Sequence, residues 1–151
     1  MAERFWLRHL SYPAASLPIM SVNLNIQFMV LGLASGSEAE AVHDALDELM
    51  ERERLDGDMS LFRCESEEGE WRVCGLSDGS VIISQSWRWW PEFERDFHTC
   101  VTSIAPHARI DMDNYDVDEE AADPWGADEL RVDVINMLPE NEQASFLADL
   151  D

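Results

Sequence analysis

Between Val22 and Phe28 the chain alternates apolar with polar residues. Val22, Leu24, Ile26 and Phe28 fall on one side, and Asn23, Asn25 and Gln27 on the other. A period of two belongs to a β-strand with one face on a core, so a half-buried strand is predicted here. Gly32, Gly36 and Ser37 come next, and Ser37 followed by Glu40 has the form of a helix N-cap with its capping-box partner. The period then changes to that of a helix. Val42, Ala45, Leu46, Leu49 and Met50 make an apolar stripe, Asp44, Asp47, Glu48 and Glu51 line the opposite side, and the region of Gly57 ends the element.

Two short strands are predicted over 59–65 and 71–76, flanking a turn at 66–69. Ser77-Asp78-Gly79 carries a hairpin signal leading into a further strand over 80–84. Pro91 suits the first turn of a second helix. There Phe93, Phe97, Cys100, Val101 and Ile104 recur at spacings of 4, 3, 1 and 3, a helical face that Pro106 stops. A strand follows over 107–117, with Ile110 and Met112 on one side. Farther on, 130–138 is expected to be a short strand, and Pro139 to open a last helix whose apolar side is Phe146, Leu147 and Leu150. The order of strand, helix, strands, helix and strand points to an α+β class. The expected architecture is a ferredoxin-like two-layer sandwich, an antiparallel sheet with two helices on one face, extended by a C-terminal acidic loop and short helix. A length of 151 residues suits one core. The organisation expected is a single domain over 20–151 behind an N-terminal extension of residues 1–19.

Charge changes this picture more than any motif does. The chain holds 32 acidic residues against 10 basic ones, all arginine, for a net charge of -22. Small soluble domains need only about 2 to 8 units of net charge, and the excess works against the compact state through self-repulsion. Hydrophobic residues at 46%, with six Trp and six Phe, nonetheless provide for a folded core. Phosphate binding relies on Lys and Arg, so direct nucleic-acid binding is not expected. An anionic membrane surface would repel the chain, and the longest apolar stretch, about Phe28 to Ala34, is too short to span a bilayer. Cys64, Cys74 and Cys100 are odd in number and lack a C-x-x-C spacing, which leads to reduced thiols and a cytoplasmic location as the expectation.

The candidate chemistries fall away in turn. The strand–glycine–helix junction at 32–37 lacks the Lys of a phosphate loop, and Glu38 and Glu40 would repel an anion there. From Asp111 to Glu129 there are nine acids and no base, and oxygen ligands at alternate positions suit a hard cation. In the frame of a calcium loop, however, Tyr115, Asp116 and Ala122 occupy places that require a ligand, a glycine and a bidentate Glu. His9, His43, His98 and His107 are scattered, and His98 and Cys100 diverge on a helix, so no metal site is expected. No nucleophile motif is present, so no catalytic residue is assigned and the protein is not expected to be an enzyme; no cofactor is implied.

What remains is recognition. The leading expectation is an acidic inhibitor of immunity or antitoxin type that binds a basic protein such as a nuclease-like toxin, steered by long-range electrostatics. Its surface would comprise Asp44, Asp47, Glu48 and Glu51 of the first helix together with Asp111, Asp113, Asp116, Asp118, Glu119, Glu120 and Asp123. One ring of the Trp87-Arg88-Trp89-Trp90 cluster joins them, taken as Trp89, because exposed Trp and Arg dominate binding energy at interfaces. The alternatives are a DNA mimic of anti-restriction or anti-CRISPR type, which needs two rows of acids at phosphate spacing, and a solvated acidic domain with loose divalent-metal binding. Adaptation to a high-salt cytoplasm would also use acids, but it does not account for six Trp and seven Met.

Overall fold

The computed structural model describes residues 21–117 and 129–147. The expectations for 1–19, for Asp118, Glu119, Glu120 and Asp123, and for Leu150 lie outside these residues. The chain runs β1 (Ser21–Leu33), α1 (Gly36–Arg52), β2 (Met59–Glu65), β3 (Trp71–Ser77), β4 (Val81–Ser84), α2 (Ser86–Thr102), β5 (Arg109–Asp116), α3 (Glu129–Asn136) and α4 (Glu140–Leu147). β1 pairs with β5 on one side and with β3 and β4 on the other, β2 pairs with β3, and every pairing is antiparallel. The fold is the α+β, ferredoxin-like sandwich that the order of elements implied.

The even-numbered residues of β1 build the main core. Leu24, Ile26, Phe28 and Val30 meet Val42, Leu46, Leu49 and Met50 of α1 and Trp89, Phe93, Phe97 and Val101 of α2. Aromatic rings run through it: Phe97 meets Phe28 edge-on at 4.7 Å, and Phe93 stacks on Trp89 at 4.6 Å. Gly75 of β3 sits opposite Phe28, and a Cβ there would stand 2.2 Å from that ring, so only glycine lets the ring lie against the strand.

Four elements depart from the periodicity reading. The cap of α1 is Ser35, not Ser37: its Oγ accepts from Glu38 N at 3.1 Å, while Glu38 Oε1 accepts from Ala34 N at 2.9 Å. Two overlapping Ser-x-x-Glu patterns exist, and the earlier one forms the cap. The signal at 77–79 makes no hairpin. Leu76 pairs with Gln27 and Val81 with Leu24, so β3 and β4 run in one direction along the same edge of β1. The turn residues are used in a bulge between them, with Gly79 at φ +78. Turn chemistry specifies a left-handed backbone, not a reversal of the chain. The second helix begins at Ser86, leaving Pro91 inside it. The carbonyl that Pro91 leaves unbonded belongs to Trp87, which is 66% exposed and open to water.

The fourth departure matters most. The strand expected over 130–138 is the helix α3. Its buried positions are Arg131, Val134 and Ile135, joined by Leu138 just beyond its end, and this helical i, i+3, i+4 spacing was hidden because its first member is a charged residue. α3 lies against the face of the sheet opposite α1 and α2, where Val134 and Ile135 meet Met29, Leu31, Cys74 and Leu76. The sandwich thus gains a third layer over this part of the sheet.

Candidate interaction surface

Two sets of polar residues stand out, one on each side of the sheet. On the helical side, α1 turns Val42, Leu46, Leu49 and Met50 inward, which forces the residues between them outward. Glu40, Asp44, Asp47, Glu48 and Glu51 are all exposed. Glu40 has Arg63 at 3.8 Å, and Asp44 has His43 at 3.6 Å. Among the described residues, Asp47, Glu48 and Glu51 form no salt bridge within 4.0 Å. Four of these five were candidates from sequence, and Glu40 extends the same stripe.

The other side holds a polar seam beneath α3. Asn25 and Gln27, expected on a solvated face, are 7% and 0% exposed. Gln27 Nε2 donates to the side chain of Asp113, and Asn25 Nδ2 donates to the Tyr115 hydroxyl at 2.6 Å. Arg131, wholly buried, reaches across from α3: its Nη2 donates to the Ser77 carbonyl at 2.8 Å, and its Nη1 lies 3.3 Å from Ser77 Oγ and 3.4 Å from Gln27 Oε1. Removing a guanidinium from water costs several kcal/mol unless it is hydrogen-bonded and balanced by opposite charge. Gln27 connects it to one such charge, with its amide oxygen toward Arg131 and its amide nitrogen on Asp113. No sequence motif signals this seam; the buried Arg within a helical stripe is the one trace of it.

The candidate acids therefore do not form one surface. Asp111 and Asp113 belong to β5, where they pair with Met29 and Gln27 and sit on the seam side, half-buried. They line a cleft of about 380 Å³ between β5 and α3 with Glu129 and Asp133. Asp116 ends the strand, also half-buried. The acids of α1 lie on the far side of the sheet from this cleft. Among the described residues, no group of three or more His, Cys, Asp or Glu is arranged to hold a metal ion.

Trp89 is a correction. It is 0% exposed, stacks on Phe93, and its Nε1 donates to Glu53 Oε1 at 2.8 Å, so it cannot contact a partner. An indole buried at a helix start and satisfied by a carboxylate at the end of α1 is a core anchor. The most exposed ring of the cluster is Trp87, with Trp90 half-buried. Since consecutive helical residues diverge by about 100°, burying Trp89 turns Trp87 outward.

No helix of the described residues is long and apolar enough to cross a membrane. No protein-family model matches the chain, and no curated protein does. A de novo designed protein with a ferredoxin fold, solved by solution NMR, is similar in structure at a TM-score of 0.36 and 9% sequence identity, over 68% of this chain and 90% of that one.

Proposed function

We propose that this protein is an acidic binding module that docks on and occludes a basic partner protein, in the manner of an immunity protein or antitoxin blocking a nuclease-like toxin. The stripe of carboxylates along α1 carries the reading. Glu40 and Asp44, Asp44 and Glu48, and Asp47 and Glu51 are each four residues apart, and such like-charge pairs disfavour a helix by about 0.2–0.5 kcal/mol each. Burial of the opposite face holds the helix together against that cost. A docked basic surface would relieve the repulsion, and long-range attraction would speed the encounter. The protein acts on this reading by occupying a surface, not by catalysis. A single stripe suits one matching patch better than the two rows that duplex mimicry requires.

The test is capture from nuclease-treated cell lysate with a salt-gradient elution, run in parallel on the native protein and on the Asp44→Lys/Asp47→Lys/Glu48→Lys/Glu51→Lys variant. The expected result is one basic protein, bound stoichiometrically by the native chain and lost with the variant, whose own activity falls on adding the native chain. Equal retention by both proteins, or no basic protein bound at low salt, overturns the proposal.

A further inference from the structure

Cys64 and Cys74 occupy neighbouring strands on the seam side of the sheet. The β2–β3 register sets Phe62 opposite Cys74 and Cys64 opposite Arg72, which makes the two cysteines diagonal neighbours on one face. The two thiols influence each other's protonation. Cys74 is 0% exposed, whereas Cys64 is half-buried and lines a groove of about 750 Å³ with Phe62, Met137, Leu138, Glu142 and Phe146. The arrangement is asymmetric. One sulfur is reachable from solvent, the other is held behind it, and a guanidinium stands across from the first.

We propose that Cys64 and Cys74 form a redox-active dithiol, in which Cys64 is oxidised by a small peroxide and Cys74 resolves the product to a disulfide between β2 and β3. The Cys64 thiolate attacks one oxygen of hydrogen peroxide; an S–O bond forms, the O–O bond breaks, and the departing hydroxide takes a proton from solvent to become water. Cys64 is now a sulfenic acid, oxidised by two electrons as the peroxide is reduced. The sulfur of Cys74 then attacks Cys64 Sγ, its proton passing to the leaving hydroxide. An S–S bond forms and a second water departs. Two thiols and one peroxide give one disulfide and two waters.

The electrostatics suit these roles. The Cys64 thiol is lowered to about 7, first by the hydrogen bond from Cys74 and further by the Arg72 guanidinium, against the opposing effects of burial and of Glu70. Arg63 and Glu142 are the charged residues that line the groove with it. Cys74 is pushed up by the same hydrogen bond and by burial, so it stays protonated as the donor. Cys100, half-buried on α2, is pushed up by burial and serves as an internal control. Diagonal Cα atoms lie roughly 7–8 Å apart, wider than the usual disulfide span. Closure therefore shifts β2 along β3, a movement open to a strand that among the described residues is paired on one side only.

The test treats the reduced full chain with one equivalent of hydrogen peroxide at pH 7, caps remaining thiols with iodoacetamide, and maps tryptic peptides by mass spectrometry. Cleavage after Arg63, Arg72 and Arg88 separates the two cysteines into peptides 64–72 and 73–88. The expected product is a cross-link of those peptides, lighter by two hydrogens, with Cys100 alkylated in full. In Cys74→Ser, dimedone should label Cys64 as a trapped sulfenic acid. Cross-links through Cys100, cross-links between chains, or three alkylated thiols after peroxide would each overturn the proposal, and none of these readouts depends on a variant folding.

Discussion

The two faces of this sheet are built on different terms. Toward α1 and α2 the sheet presents Leu24, Ile26, Phe28 and Val30, and the helices answer chiefly with hydrocarbon and aromatic rings. Toward α3 it presents Asn25 and Gln27 beside Met29 and Leu31, and the helix answers with Arg131 as well as Val134 and Ile135. The first face gains from area removed from water, at about 25 cal/mol per Å². The second must satisfy hydrogen bonds before burial pays, because an orphaned buried polar group costs about 1–3 kcal/mol. An apolar face tolerates any partner of the right shape. A polar seam accepts one register, and so fixes where α3 sits.

The largest effect is expected at Phe97. Truncation to Ala removes a ring that contacts both Phe28 and Phe93, and should cost about 3–5 kcal/mol by denaturant unfolding. A change near zero would show that the helical face does not hold the fold. Arg131→Ala comes next. It strips donors from the Ser77 carbonyl and from Gln27, at about 1–3 kcal/mol for each group left unpaired. Arg131→Met, which retains most of the hydrocarbon stem, should recover little of that loss if hydrogen bonding governs the seam. Full recovery would mean that the second face is an apolar core in disguise.

These same two residues show what could be read in advance. Phe97 stood in a pattern of apolar positions at helical spacing, and local periodicity is enough to identify such a residue and its helix. Arg131 opened a stripe of the same spacing, but a charged residue at a core position breaks the binary pattern, and 130–138 read as a strand. Asn25 and Gln27 looked solvated for the same reason: alternation marks which residues share a face without saying what covers it. The acids of α1 were legible because an amphipathic helix determines which side is wet. Asp111 and Asp113 were not placed correctly, since their burial depends on a helix distant in sequence. Trp89 was misplaced by composition, which favours Trp at interfaces but cannot tell which of three neighbouring rings turns outward. The thiol pair required strand register, and no spacing of cysteines supplies that.

Gly75 lies between the two faces. Its missing side chain would project toward Phe28 on the helical side, while Cys74 beside it projects into the seam. Gly75→Ala should therefore overpack the first face alone, at about 1–3 kcal/mol. The cross-link yield between Cys64 and Cys74 should stay at the level of the native chain. Lost stability together with a lost cross-link would mean that the two faces are mechanically coupled through β3.

The smallest effect on stability should accompany the largest effect on binding. Asp47→Lys/Glu51→Lys exchanges one pair of like charges four residues apart for another, so helix stability should move by no more than about 0.5 kcal/mol. Asp47→Lys alone turns the repulsion with Glu51 into attraction and should stabilise the fold by about 0.2–0.5 kcal/mol, with the gain fading as salt rises. Both variants leave Leu46, Leu49 and Met50 untouched in the core. If the acids of α1 are only a solvated face, native capture of a basic protein will survive both changes. If they are kept for a partner, the single variant will be more stable and bind less, because a residue retained against the interest of its own helix is answering to something outside it.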